Sequence, residues 1–428
     1  MRSAIARLEQ EGSVLTCRVG DDPAERYAAR HLLMRIHARM RSSARRSVEV
    51  FSPAQLMSFL VSWQHVGAGN RLLGTGGLSE VIGQLQGFEA AVGAWEESIL
   101  PSRVASYQPA LLDELCSSGE VGFGRLGLQA LALEQEDQRE RRPGQTPSLA
   151  TPLSLFRREE ADWLLAALRG TSAPESPLIG APAEVLEALS SRGALFLTDL
   201  CNLTGRMPVE VADALWDGIA RGLVTADGFQ AVRALLGGRA RLGNLVGASR
   251  AGAPSLGSRS LSYRRPGGRP RPRVRPALAG GRWALLPAAA DFETDELAEA
   301  LAGQLLARWG VVFRDLVQRE LIGIGWREVL WALRRLEARG LVLGGRFVSG
   351  FTGEQYALPE AYEKLRRCAS EGPSGQKVRL SAADPLNLTG IILPGPRIPA
   401  LRSRHITLLD GAVVPEEPAR PRRAAGAP

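Results

Sequence analysis

The sequence predicts a mainly α-helical (α+β) protein, and three observations carry that prediction. Apolar residues recur at helical spacing in many short blocks, as in Trp326, Val329, Leu330, Leu333 and Leu336, whose i, i+3, i+4, i+7 stripe stops at Gly340. One block is written twice, as ALWDGIARGLVTADGF at 214–229 and ALRRLEARGLVLGGRF at 332–347. From about residue 376 the texture changes to short β-rich runs, QKVRLSAADPLNLTGIIL and RHITLLDGAVV, broken by Pro, Gly and Asn.

Each copy of the repeat follows a shorter helical stretch, LFLTDLCNL or VVFRDLVQREL, and its longer helix opens at Pro208 or near Trp326. In the later copy Leu341, Val342 and Leu343, then Gly344-Gly345, then Arg346, Phe347 and Val348 predict a two-residue hairpin. Asp227-Gly228 takes the turn in the earlier copy. Helix, turn, helix and hairpin is the plan of a winged helix. Helical blocks at 24–47, 53–66 and 158–169 fit additional modules. The expected architecture is therefore tandem winged-helix modules followed by a small antiparallel β-barrel. Its boundaries are winged-helix modules over 1–170, a winged helix over 178–236, a disordered linker over 237–282, a winged helix over 283–352, the barrel over 353–417 and a disordered tail over 418–428.

With 428 residues the chain is long enough for several cores, and no apolar run approaches the ~18 residues of a membrane span. Its start, MRSAIARLEQ, lacks the apolar stretch of a signal peptide, so a cytoplasmic protein without membrane contact is expected. Cys17, Cys116, Cys201 and Cys368 form no CxxC pair, and His31 and His37 are six apart, off one helical face. Neither a metal nor a cofactor is expected. The only lysines, Lys364 and Lys377, follow Glu and Gln rather than the glycine of a P-loop, which excludes ATP-driven chemistry by that device.

The net charge is +8, and its distribution is uneven. Residues 238–282 hold eleven arginines and no Asp, Glu or Lys, which leaves the rest of the chain at −3. That segment is Gly-, Pro-, Ser- and Arg-rich and reads as a tether, either passive or tracking phosphates electrostatically. A winged helix is often a DNA reader whose second helix enters the major groove, and is also a common protein-docking module. On the 326–339 helix the exposed candidates for DNA contact are Arg327, Arg334 and Arg335, accompanied by Glu328 and Glu337.

Polar residues look arranged for chemistry at Gln84-Leu85-Gln86, bracketed by Gly83 and Gly87. Glycine on both flanks interrupts a helical reading, and on an extended segment two amides at i and i+2 face one side while Leu85 turns into the core. Glu89, Glu96 and Glu97 are the nearby acids, while Asp384 and Asp410 are read as turn formers. The alternative for Gln84 and Gln86 is a pair of amides that satisfy buried backbone groups.

QLQGFEAAVGAWEESILPSRV, LLDELCSSGEV, ATPLSLFRREEADWLL, RGLVTADGF, GVVFRDLVQRE, RRLEARGLVLGGRFVSGFTGEQYALPEA and DPLNLTGIILPGPRIPAL together resemble the C-terminal half of the bacterial large helicase-related proteins. The resemblance runs from about residue 10 to residue 415, outside the Arg-rich segment. It implies tandem winged helices and a β-barrel that elsewhere follow a superfamily-2 helicase motor, which would act in cis or in trans. That half is in turn similar to AlkZ-like winged-helix DNA glycosylases, whose catalytic Gln-Φ-Gln or Gln-Φ-Asp motif precedes an Arg-x-x-x-Tyr stretch and a Leu-Asp pair. Gln84-Leu85-Gln86, Arg103 with Tyr107, and Leu112-Asp113 fall on those positions in order. The resemblance thus implies catalytic roles for Gln84 and Gln86, DNA contact by Arg103 and Tyr107, and with DNA a place at the nucleoid. In such chemistry a fixed amide carbonyl would position water and face the oxocarbenium-like charge of the breaking glycosidic bond, and because an amide is a poor base, easily leaving N-alkylated purines suit it better than neutral uracil. The competing class is a non-catalytic scaffold that forms homo-oligomers or docks a motor. Catalysis would need Gln84 and Gln86 in an open, positively lined cleft, whereas a scaffold would bury them.

Overall fold

A computed structural model describes residues 2–18, 24–67, 69–127, 147–169, 174–237, 281–317, 320 and 323–414. Residues 238–280 of the expected linker and the whole of the expected tail over 418–428 lie outside these residues. Four helices matter most: α1 (Pro53–Trp63), α2 (Gly74–Leu85), α3 (Thr294–Trp309) and α4 (Trp326–Ala338).

Three winged helices share one topology. The first runs α2, strand Ala90–Ala91, a helical run over 92–103 with a π-helical turn at Trp95–Ile99, helix Pro109–Ser117, then strands Val121–Gly124 and Pro152–Arg157. The second uses helices Gly180–Arg192, Leu197–Thr204 and Pro208–Ala220 with strands Leu195–Phe196, Val224–Ala226 and Arg282–Leu285. The third uses α3, Val311–Val312, Arg314–Val317, α4, Leu343–Gly345 and Gln355–Ala357. In each, the last strand lies in the middle of a three-stranded antiparallel sheet, paired with both others.

Amphipathic spacing explains the helices. α2 buries Leu78, Val81, Ile82 and Leu85, and α4 buries Val329, Ala332, Leu333 and Leu336, each an i, i+3, i+4, i+7 stripe. α1 starts on a capping box, in which Ser52 Oγ accepts from Gln55 N and Gln55 Oε1 accepts from Ser52 N, with Pro53 at the first helical position.

Two expected hairpins are built differently. Gly344-Gly345 is not a turn but part of strand Leu343–Gly345, which pairs with Gln355–Ala357 across the loop 346–354. A Cβ on Gly344 would stand 2.3 Å from Glu337 Oε1 and 2.8 Å from Arg45 Nε, so the glycine admits an ion pair rather than a bend. In the second module Asp227-Gly228 leads into a helix over 229–237, and the sheet is completed by Arg282–Leu285, beyond the expected linker. The expected boundary at residue 282 therefore falls inside that sheet.

The expected β-barrel is absent from the described residues. Lys377–Ser381, His405–Leu409 and Ala412–Val414 form an open three-stranded antiparallel sheet, its last hairpin turned by Asp410 (φ 47°) and Gly411 (φ 79°). Three strands with long turns between the first two do not close, and the sheet instead lays Val378, Leu380, Ile406 and Leu408 on a core.

Two large cores result. One joins the first and second winged helices. The other joins the third winged helix, the C-terminal sheet and residues 51–66, so α1 packs away from the module that follows it in sequence. Phe51 also bridges Val348 on the wing, with Phe51 N donating to Phe347 O at 2.8 Å. Gly310, between α3 and its strand, has φ +67° and approaches Phe59 and Ala361 so closely that a Cβ would meet them at 2.7 and 2.9 Å. Gly310→Ala is predicted to lower stability by about 2–4 kcal/mol through strain and overpacking. Gly303→Ala, in open space on the same helix, should raise it by about 0.5–1 kcal/mol. Urea denaturation of the two variants checks both.

Candidate functional site

The Gln-Leu-Gln stretch ends α2 instead of running extended. Gly83 stays helical, facing the Arg157 guanidinium; the helix stops at Leu85, Gln86 is the C-cap residue (φ −56°, ψ 139°), and Gly87 (φ +85°) turns the chain onward. Leu85 is fully buried in the core, as expected. The two amides still converge on α3, one from the last helical turn and the other from the C-cap just beyond it.

Both meet α3. Gln84 Nε2 donates to Trp63 O (3.1 Å) and Ala307 O (3.2 Å), while Gln86 Nε2 donates to Gln304 Oε1 (3.0 Å). Gln304 Nε2 answers by donating to Gly83 O and Gln84 O, and Arg308 Nη2 to Gln86 O. Gln86 Oε1 accepts from Arg157 N at 3.3 Å. Gln86 is 5% exposed, and the cavity beside it is about 10 Å³, room for about one water. Arg308 is buried too, paired with Glu320, which also accepts from Trp309 Nε1 at 2.7 Å. The motif thus satisfies backbone at a closed helix junction, with one exception: Gln84 Oε1 is buried without a partner among the described residues.

Arg103, expected to contact DNA, is instead fully buried. It grips Asp384 with two hydrogen bonds of 2.7 and 2.9 Å, and also donates to Ile99 O and Gln64 Oε1. Asp384 holds its turn as expected, accepting from Leu386 N, but its second role as the counter-ion of Arg103 was hidden by a separation of 281 residues. Tyr107 faces inward as well: its hydroxyl donates to Glu96 (2.9 Å), and Arg233 joins Glu96 to Asp113. Burial and the Glu96 carboxylate push the Tyr107 hydroxyl pKa well up. Of the other acids, Glu89 takes the N–H groups of Leu126 and Gly127, with burial pushing its carboxyl pKa up, and Glu97 pairs with Arg402 at the surface. Asp410 gathers the N–H groups of Ser374, Gly375 and Gln376, a turn former as read.

Basic residues single out one of the three winged helices. The second helix of the helix-turn-helix unit reads PALLDELCS in the first module and PVEVADALWDGIA in the second, both acidic and without Arg or Lys. Only α4, WREVLWALRRLEA, is basic. Its outward stripe is Arg327, Trp331, Arg334 and Ala338. Arg334 is tied to Glu354 (2.9 Å) and Arg335 to Asp295 (3.1 Å), while Glu337 turns in to Arg45. Arg327 has no acid partner among the described residues and lies over the Trp331 ring at 4.5 Å. Arg346 on the wing and Arg314 at the preceding turn are likewise exposed and without an acid partner among those residues. Sequence spacing alone could not separate Arg327 from Arg334 and Arg335, because the sorting acids lie on other elements. No three-residue metal-ligating cluster and no helix fit to cross a membrane occur among the described residues.

The buried ion pair gives a direct test of the junction. Arg103→Met strands the Asp384 carboxylate and should cost about 3–5 kcal/mol, whereas Arg103→Met with Asp384→Leu should recover a large part of that loss. Denaturant titration of the single and double variants measures the difference.

Comparison with known proteins agrees with this architecture. Residues 51–139 and 291–377 match the models of the third and fourth winged-helix domains of the large helicase-related protein. A Mycolicibacterium smegmatis protein named as an Lhr helicase and probable uracil glycosylase is 31% identical over 437 residues, covering 96% of this chain and 26% of that protein. An Escherichia coli Lhr helicase/uracil glycosylase is 31% identical over 352 residues, covering 76% of this chain and 20% of that protein. The chain therefore spans about a quarter or less of the length of these relatives. The solved structure of the Streptomyces sahachiroi DNA glycosylase AlkZ aligns with a TM-score of 0.47 at 13% identity, over 86% of this chain and 87% of that one. The chain thus carries two winged-helix domains of the large helicase-related protein, at 51–139 and 291–377, and along nearly its whole length is similar to part of two such proteins.

Proposed function

We propose that this chain is a DNA-binding, DNA-repair-associated module of the large helicase-related type, and that the third winged helix makes the DNA contact. One observation carries the reading: among the three helix-turn-helix units, α4 alone presents an exposed arginine stripe, with Arg327, Arg314 and Arg346 unneutralised by acids of the described residues. Guanidinium groups free of carboxylates are available to phosphates, and each such contact releases counter-ions. The helicase motor in the relatives' names is the proposed partner, in cis or in trans.

Arg327→Ala combined with Arg346→Ala should weaken binding to a duplex oligonucleotide and lower the slope of log K against log salt by roughly 1 per lost phosphate contact. Fluorescence anisotropy between about 50 and 200 mM salt reads this. An unchanged slope in the double variant would refute the assignment to the third winged helix.

Base release is a second reading, favoured by the unbonded Gln84 Oε1, a fixed acceptor that could hold a water. Because Gln86 is closed off by α3, this activity requires the junction of α2 and α3 to part over the DNA. The relatives' names point to uracil, whereas an amide pair suits N-alkylated purines better. An incision assay with both lesions is expected to show release that Gln84→Ala with Gln86→Ala abolishes. Release at the wild-type rate by the double variant excludes these residues as the catalytic pair.

A further inference from the structure

We propose that the outward stripe of α4 binds unpaired nucleobases, with the Trp331 indole as the stacking platform and Arg327 as the cation that holds it. The inference rests on the DNA-binding reading and names the form of DNA that this site takes.

Trp331 is anomalous for its residue type. Of the eight tryptophans, all described, Trp95, Trp216, Trp283 and Trp309 are buried, Trp63, Trp163 and Trp326 are half-buried, and Trp331 alone is exposed, at 42%. An indole left in water on a helix that already has a full apolar stripe on its inner side contributes nothing to the core. Its ring is nonetheless ordered from one side by the Arg327 guanidinium 4.5 Å away, one helical turn earlier, a geometry worth ~0.5–1 kcal/mol at an exposed site. A flat, held aromatic beside a free positive charge suits a base and its phosphate together.

The composition of α4 argues against reading of paired base edges. Edge readout in the major groove uses Arg, Lys, Asn, Gln, Ser, Thr or carboxylates that are free to bond. WREVLWALRRLEA has no Asn, Gln, Ser, Thr or Lys, and two of its three arginines are held by Glu354 and Asp295. What remains outward is Arg327, Trp331 and a tethered Arg334. Stacking needs only a π face, so this inventory fits single-stranded or unstacked DNA and not duplex edges.

The test uses the full chain and fluorescence anisotropy with 20-nucleotide single-stranded and duplex probes of one sequence, on wild type and on Trp331→Ala, Trp331→Phe and Trp331→Leu. Because Trp331 is exposed, all three variants should keep the wild-type thermal midpoint. Trp331→Ala and Trp331→Leu are expected to lose about 5- to 100-fold in single-strand affinity, with Trp331→Phe retaining most of it and duplex affinity changing far less. Wild-type single-strand affinity in Trp331→Ala overturns the inference while leaving DNA binding standing. Wild-type affinity in Trp331→Leu overturns it in favour of apolar docking. A variant that keeps its affinity but shifts in sedimentation mass assigns the ring to a protein contact instead. If the wild type binds neither probe at low salt, the DNA-binding reading fails first, and the stacking site with it.

Discussion

One buried hydrogen-bond network holds the two halves of this protein in register. It runs from Asp384 to Arg103, from Arg103 to Gln64, from Gln64 Nε2 to Arg308 O at 3.0 Å, and on through Arg308 to Gln86 O and through Gln304 to Gln84 O and the Gln86 amide. Its members come from the C-cap of α1, the end of α2, α3, the 92–103 run and the C-terminal segment, elements that pack in both large cores. Apolar contact alone would let two such cores slide, because hydrophobic burial is non-directional. Amides and a guanidinium with fixed donor directions select one docking, and in a low-dielectric interior each lost partner is costly.

This arrangement changes the meaning of the Gln-Leu-Gln stretch. Two amides in a glycine-bracketed segment admit both a catalytic and a structural reading, and the geometry of the closed junction is that of the second. Gln86 bonds at both ends of its amide, and only Gln84 Oε1 is left over. Any base chemistry here would have to break the network that fixes the modules, so it would be coupled to their separation. The Arg103 and Tyr107 positions share this character, since one clamps Asp384 and the other caps Glu96.

Local pattern made much of the fold legible, and long-range partners made the rest invisible. The apolar stripe of α4 and its glycine stop could be read directly, as could the repeated helix-turn-helix units and the Asp410 turn. The wings were misplaced, because Gly344 and Gly345 resemble turn glycines although their missing Cβ atoms admit Glu337, Arg45 and Val48. The strand Arg282–Leu285 sits at the end of an Arg-rich segment with no strand periodicity of its own. α1 could not be assigned to the third winged helix, since no sequence signal records which of two cores a helix joins. A barrel was read from β-rich texture alone, and texture does not count strands. Likewise Arg327, Arg334 and Arg335 are equivalent by type, and only Glu354 and Asp295, on other elements, separate them.

DNA is proposed to lie on the outer face of the third winged helix, while the α2–α3 junction joins the modules. Photocrosslinking of the full chain to DNA carrying bromodeoxyuridine, followed by mapping of the attached peptides, separates these most directly. Crosslinks are predicted within 326–346, on α4 and the wing that follows it. Crosslinks confined to 83–89, or to the acidic helix Pro208–Ala220, would contradict the account.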